Sequence, residues 1–300
     1  MESKPICIAL GGNALKSEHN MQSFPQLAKT CEVLAAHCQP PILVTHGNGP
    51  QIGNLVDPGQ TDSSESERTL DVLGAETEGL LGYQIEQELA NSYNLHDRVV
   101  TVLTRVEVDP EDPAFDNPSK PIGSWMDSQR AQELRDRLGW HFTSGNEGSR
   151  RVVPSPLPRC ILNLHCINLL LDTNYCVVAA GGGGIPVVRE SDGSMKGVEA
   201  VVDKDHTSSL MARELGAQRI YFLTDVSGVY SSWGSDDKEL IEEISEPELR
   251  KMDLPEGSMG PKALAACNFV AATGGEACIG ALSDLEALLQ RRGGTRVVQG

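Results

Sequence analysis

The sequence predicts an α/β protein whose mostly parallel sheet lies between layers of helices. Three observations carry this. Short apolar segments alternate with helical stretches along most of the chain. Hydrophobic residues make up 39% of the 300 positions but aromatics only 4%, so the core must be Ala, Val, Leu and Ile, as suits helices covering a buried sheet. Several of the apolar segments also run directly into glycine, the usual exit of a strand at the ligand-bearing edge of such a sheet.

Residues 5–10 (Pro-Ile-Cys-Ile-Ala-Leu) read as the first strand, followed by Gly11-Gly12-Asn13 and a helical stretch near 21–38. Residues 41–45 form a second strand that ends in His46-Gly47-Asn48-Gly49-Pro50. The segment 57–69 is polar and aperiodic and reads as a loop, and a long helical pattern covers about 70–93. A third strand is expected at Val99–Leu103. Residues 108–155 break the rhythm with many Pro, Asp, Asn, Ser and Gly, and one helical piece near 127–138. They read as an inserted lid subdomain. Cys176–Ala180 is a further strand, ending in Gly181 to Gly184. A helix near 206–215, a strand at Ile220–Thr224 and further helix, strand and helix segments over 246–290 complete the succession.

The length suits one large domain or two lobes of about 150 residues. The division expected is an N-terminal lobe over 1–190, with the insert at 108–155, and a C-terminal lobe over 191–300. The net charge of −17 argues against a nucleic-acid partner, which needs clustered Lys and Arg. It does not exclude a small anion, because nearby amides and lysines outweigh the global field at short range. Eight cysteines with no CxxC pair read as buried free thiols of a reducing compartment. No signal peptide and no membrane-length apolar run stands out, so a cytoplasmic protein with no membrane partner is expected.

Gly11-Gly12, Gly47-Asn48-Gly49 and Gly181–Gly184 each directly follow an apolar strand. Glycine there lets backbone N–H groups approach phosphate oxygens, and a helix N-terminus beyond adds a favourable dipole. One such pair is an ordinary tight turn; three at strand ends point to an anion site. The first strand lacks Gly-x-Gly-x-x-Gly, and no Walker or protein-kinase signature occurs. Phosphoryl transfer without a P-loop needs positive charge over the equatorial oxygens. Lys120, Lys204 and Lys262 are the candidates, each beside prolines, glycines or acids, although any one of them alone would be an ordinary surface lysine. His46 reads as a structural hydrogen-bonding residue, and Glu76 with Glu78 as marking solvent or a dimer face.

Ile8–Leu15, Thr45–Gln51, Glu107–Gly123, Arg151–Pro156, Gly181–Val188, Gly197–Asp205, Leu223–Tyr230 and Gly257–Lys262 together resemble the carbamate kinases of the amino acid kinase family. The strings Asn117–Gly123 and Val198–Asp205 are too specific for generic fold constraints. The resemblance implies a three-layer α/β/α sandwich with a small inserted lid. It also implies reversible transfer between carbamoyl phosphate and ADP, giving ATP and carbamate, and a homodimer. It assigns Gly11, Gly12, Asn13, Gly47, Asn48, Gly182 and Gly183 to substrate and phosphate. Lys120, Lys204, Asp205 and Lys262 become the catalytic set, with Asp205 organising Lys204 and Lys262, and Lys120 reaching down from the lid. Many family members carry a lysine two residues before the first Gly-Gly; here Ala9 stands there, and Lys204 matches the lysine that fills its space. Thr224, Asp225, Val226, Tyr230 and Met259 would line the nucleotide. No metal cage is evident, so Mg²⁺ would be held mainly by nucleotide phosphates.

The segments 16–24 and 57–69 depart from the family pattern near the expected mouth of the site. A kinase for another small carboxylate or amino acid, and a catalytically silent nucleotide sensor, remain as alternatives. Ala9 with the Lys120 string argues against the first, and the retained Lys120, Lys204, Asp205 and Lys262 argue against the second.

Overall fold

The computed structural model describes residues 4–15, 24–56, 68–231, 238–255 and 259–300, with Asn13, Ala14, Asn54 and Val56 described in backbone only. The segments 16–23 and 57–67, which carry most of the two departures noted above, lie outside these residues.

In chain order the elements are β1 (Ile6–Leu10), α1 (Pro25–His37), β2 (Ile42–His46), α2 (Gly49–Val56), α3 (Leu70–Tyr93), β3 (Val99–Val102) and β4 (Arg105–Val108). The insert follows with β5 (Lys120–Met126), α4 (Ser128–Leu138), β6 (His141–Gly145) and β7 (Gly148–Val153). Then come β8 (Pro158–Ile161), α5 (Leu164–Asp172), β9 (Cys176–Ala179), β10 (Ile185–Arg189), β11 (Met195–Gly197), α6 (Lys204–Glu214) and β12 (Arg219–Thr224). The chain closes with β13 (Glu243–Ser245), α7 (Glu246–Leu249), α8 (Met259–Thr273), β14 (Glu276–Ala281), α9 (Leu285–Leu289) and β15 (Thr295–Val298).

Eight strands form one sheet in the order β13-β15-β14-β12-β1-β2-β9-β3. The six from β14 to β3 are mutually parallel, and β15 turns back against β14. Strand side chains alternate between two cores, as the pleat requires. Cys7, Ala9, Ile220 and Phe222 pack with Leu210, Met211, Ala266 and Phe269 of α6 and α8. Ile8, Leu10, Val44 and Tyr221 pack with Leu34, Leu81 and Ile85 of α1 and α3. Both faces are covered, so the strands are apolar throughout. The result is the expected α/β/α sandwich.

The 108–155 region holds more order than its composition suggests. β5, β7 and β6 form an antiparallel sheet backed by α4, while β11, β10, β4 and β8, drawn almost entirely from outside that segment, form a second small sheet. The insert docks on α2, where a Cβ on Gly53 would stand 2.6 Å from the Gly123 Cα. α2 itself was not expected from the glycine- and proline-rich sequence. Six cysteines are buried as expected, but Cys160 and Cys166 are exposed. No helix among the described residues is long and apolar enough to cross a membrane.

Candidate active site

The carboxyl ends of β1, β2, β9 and β12 share one sheet edge, and the glycine turns meet there. A Cβ on Gly47 would lie 3.4 Å from both the Gly12 amide nitrogen and Lys204 Cδ, so the lysine stem crosses the first two turns. A Cβ on Gly183 would lie 3.2 Å from the Lys204 nitrogen, bringing the third turn to the start of α6. On the other side, Gly11 approaches the end of β12: its Cβ would be 2.6 Å from Leu223 O and 3.6 Å from Thr224 Cα.

The third turn is a wall rather than an open cradle. Gly181 to Gly184 are all buried. Gly182 has φ +67°, and a Cβ there would lie 2.2 Å from Asn48 Nδ2. The Gly183 and Gly184 amides donate to Ala180 O (3.1 Å) and Gly181 O (3.0 Å), and the Gly181 amide donates to Glu78 Oε1 (3.0 Å). Glycine is required here for close packing and positive φ. Asn48 is buried and donates to Thr77 Oγ1 (2.9 Å). Asn13 lies in the short turn Gly12–Leu15, where only its backbone is described.

Lys204 opens α6, which Asp203 caps by accepting the Asp205 N–H (2.9 Å). Lys204 donates to Asp205 Oδ1 (2.5 Å), and Lys262, on the first turn of α8, donates to Asp205 Oδ2 (2.8 Å). Burial alone would raise the Asp205 carboxyl, but the two ammonium groups, Lys204 foremost, hold it well below the carboxylate range. Burial pulls the Lys204 ammonium down, Asp205 opposes that, and Lys262 adds to it. Two cations thus share one ionised, buried carboxylate at the glycine edge. Lys120 does not join this cluster. It starts β5 and donates to Asp203 Oδ2 instead.

One expectation is corrected. Glu78 is neither at solvent nor on a dimer face: it is fully buried, accepting the Gly181 and Thr104 amides (3.0 and 3.2 Å). Burial raises its carboxyl to about 8, against the hydrogen bonds from Thr104 and Gly181. It ties α3 to the third glycine turn, and its place on the stripe Leu70, Gly74, Leu81, Ile85 was the sequence signal for it. His46 makes the expected structural hydrogen bond, from Nδ1 to Gly47 O (3.2 Å), while its buried Nε2 has no hydrogen-bond partner among the described residues. Burial lowers it to about 4, with the Gly47 carbonyl opposing and Lys204 reinforcing, so the ring is neutral at pH 7.

Thr224, Asp225, Val226, Tyr230 and Met259 come together, lining one mostly apolar cleft with Gly228, Val229, Leu254 and Pro255. Asp225 stands exposed on its lip. The cleft meets the glycine edge through Gly11 at one side and through α8, which carries both Met259 and Lys262, at the other. No cluster of three or more metal-ligating side chains occurs among the described residues, and Asp203 and Asp205 are both committed to lysines.

The amino acid kinase family model matches residues 4–280. A carbamate kinase of Rhizobium meliloti is 44% identical over 97% of this chain and 92% of its own length. One from Haemophilus influenzae is 40% identical over 98% and 96%. A structure of the Giardia lamblia carbamate kinase bound to AMP-PNP superposes with a TM-score of 0.83 at 33% identity, covering 99% of each chain. With a family model spanning most of its length and full-length relatives at this identity, the chain belongs to the amino acid kinase family, among the carbamate kinases.

Proposed function

We propose that the protein transfers a phosphoryl group reversibly between carbamoyl phosphate and ADP, forming ATP and carbamate, which decays to ammonia and CO₂. The observation that carries this is the buried Lys204–Asp205–Lys262 cluster, set between the glycine edge and the apolar cleft. The base stacks in the cleft beside Met259, and the β-phosphate of ADP extends past Gly11 toward the lysines. Carbamoyl phosphate lies over Gly11, Gly12, Gly47 and Asn48, with the backbone at Asn13 closing one side. The third turn contributes Gly182 and Gly183 as the surface that fixes Asn48 and the start of α6. The donor end then belongs to residues 1–190 and the nucleotide end to residues 191–300.

The chemistry asks little of the protein beyond positioning and charge. Lys204 and Lys262 neutralise the oxygens of the group in flight, and Asp205 holds both ammonium groups in place, so little reorganisation is needed at the moment of transfer. Carbamate is already an oxyanion nucleophile, so no general base is required, in keeping with a neutral His46. Lys120 meets the substrate from the insert and helps exclude water. Mg²⁺ travels with the nucleotide phosphates, since the site's own carboxylates are engaged by lysines.

The working unit is read as a cytoplasmic homodimer serving ATP formation in arginine, agmatine or purine-derived catabolism. The dimer finds support in Val72, Leu80 and Tyr83, which leave one face of α3 exposed and apolar next to Leu103. The deciding measurement is ATP formation from ADP with carbamoyl phosphate, beside acetyl phosphate and N-acetylglutamyl phosphate. Carbamoyl phosphate should be strongly preferred. Preference for another donor would move the protein to a different substrate, and no turnover with any would end the enzyme reading.

A further inference from the structure

Asp203 lies outside the buried lysine cluster, and its two carboxylate oxygens have separate partners. Oδ1 accepts the Asp205 and His206 amides (2.9 and 3.4 Å), capping α6. Oδ2 accepts the Lys120 ammonium. The helix it caps opens with Lys204 and Asp205, while Lys120 is the first residue of the insert's sheet. One carboxylate therefore joins the helix of the lysine cluster to the insert. The chain leading into α6 is stitched to the same neighbours: the Val201 amide donates to Pro154 O (3.0 Å), and Arg151 lies 3.8 Å from Glu199. Of these contacts, the Asp203–Lys120 pair is the one that leads to the transfer site. An ammonium has three donors, so Lys120 keeps donors for a substrate oxygen while one is held by Asp203. Its side chain is 31% exposed, which leaves it accessible.

We propose that Asp203 is a positioning residue that latches the insert: one oxygen caps α6, and the other holds the Lys120 ammonium at the rim of the site before substrate binds. The kinetic consequence rests on the phosphoryl-transfer reading above; the structural one does not. Burial would raise the Asp203 carboxyl and Asp205 would raise it further, but the Lys120 ammonium, its hydrogen bond and His206 together outweigh them. The group stays below the usual carboxylate range, ionised at neutral pH.

Asp203→Asn separates the two duties, because asparagine caps a helix as well as aspartate does but carries no charge. Hydrogen exchange on the full chain without substrate should show amides of 120–153 exchanging several-fold faster in Asp203→Asn, with 204–214 unchanged. Asp203→Ala should speed both regions. In turnover, Asp203→Asn should raise KM for carbamoyl phosphate by about tenfold with kcat within about threefold of wild type. Lys120→Ala combined with Asp203→Asn should be no worse than Lys120→Ala alone, because the two changes remove one interaction. Unchanged exchange across 120–153 in Asp203→Asn would reduce Asp203 to a plain cap and overturn the proposal. So would losses in the double variant that multiply. Absence of wild-type turnover would instead count against the phosphoryl-transfer reading, with the exchange result still deciding the latch.

Discussion

Two lysine–aspartate assemblies, built on carboxylates two residues apart in sequence, differ in burial. In one, Lys262 and Asp205 expose 7% and 8% of their side chains; in the other, Lys120 and Asp203 expose 31% and 15%. The difference separates two tasks. A buried pair cannot exchange its partner without a large desolvation cost, so its geometry is set before substrate arrives. A partly exposed pair is weak and screened, and it can share its ammonium with an incoming anion. On the proposed reaction, fixed charge for the transition state and movable charge for substrate entry are thus kept apart.

The harshest way to break this comparison is to take the carboxylate from the buried assembly. Asp205→Ala leaves two ammonium groups facing each other in a dry site. It should abolish measurable turnover and cost about 3–5 kcal/mol of stability, as a shift in denaturant midpoint would show. Lys262→Ala leaves Asp205 with Lys204. Turnover should fall by roughly 10²–10³ with the fold intact by circular dichroism, and equal activity would remove Lys262 from the mechanism.

The fixed side also predicts a contrast between glycines. Gly182→Ala drives a methyl into Asn48 at positive φ and should destabilise by about 1–3 kcal/mol. Gly49→Ala, with nothing within 4 Å of its Cβ position, should be near neutral in the same melt. A pH-dependent effect concerns Glu78. Its carboxyl sits near 8 when folded against an ordinary 4.5, so the folded state keeps a proton that the unfolded chain releases in between. Stability should fall as pH rises from about 4.5 to 8, and Glu78→Gln should flatten that slope in melting curves across the window. A slope identical to wild type would mean that Glu78 is ionised in the folded protein.

Much of this was legible in the chain. The long helix was read at 70–93 and observed at Leu70–Tyr93, because a helix covering a sheet shows its stripe over six turns. The glycine turns pointed to one sheet edge because three of them follow parallel strands, whereas one alone would be an ordinary tight turn. The insert was legible as an interruption but not as a sheet: β5, β6 and β7 pair with one another inside the insert and not with the main sheet, so no alternation against the main core marks them. α2 was hidden by its glycines and proline, though Gly53 serves close packing against the insert. Glu78 was misplaced because a charged side chain argues for solvent, whereas the amides that reward its burial come from Thr104 and Gly181, far along the sequence. The lysine roles came from resemblance; nothing in local sequence says that Lys204 and Lys262 share Asp205 while Lys120 does not.

The burial of Asp205 and its two lysines also decides how the protein should feel its ionic surroundings. Mobile ions at about 0.15 M weaken exposed charges over roughly 8 Å but hardly enter a dry cluster. What they do reach is the −17 envelope, which repels phosphate-bearing molecules from a distance. Moderate salt should therefore quicken the arrival of substrate while leaving the transfer step itself untouched, the reverse of an enzyme that draws its anion in through a basic surface.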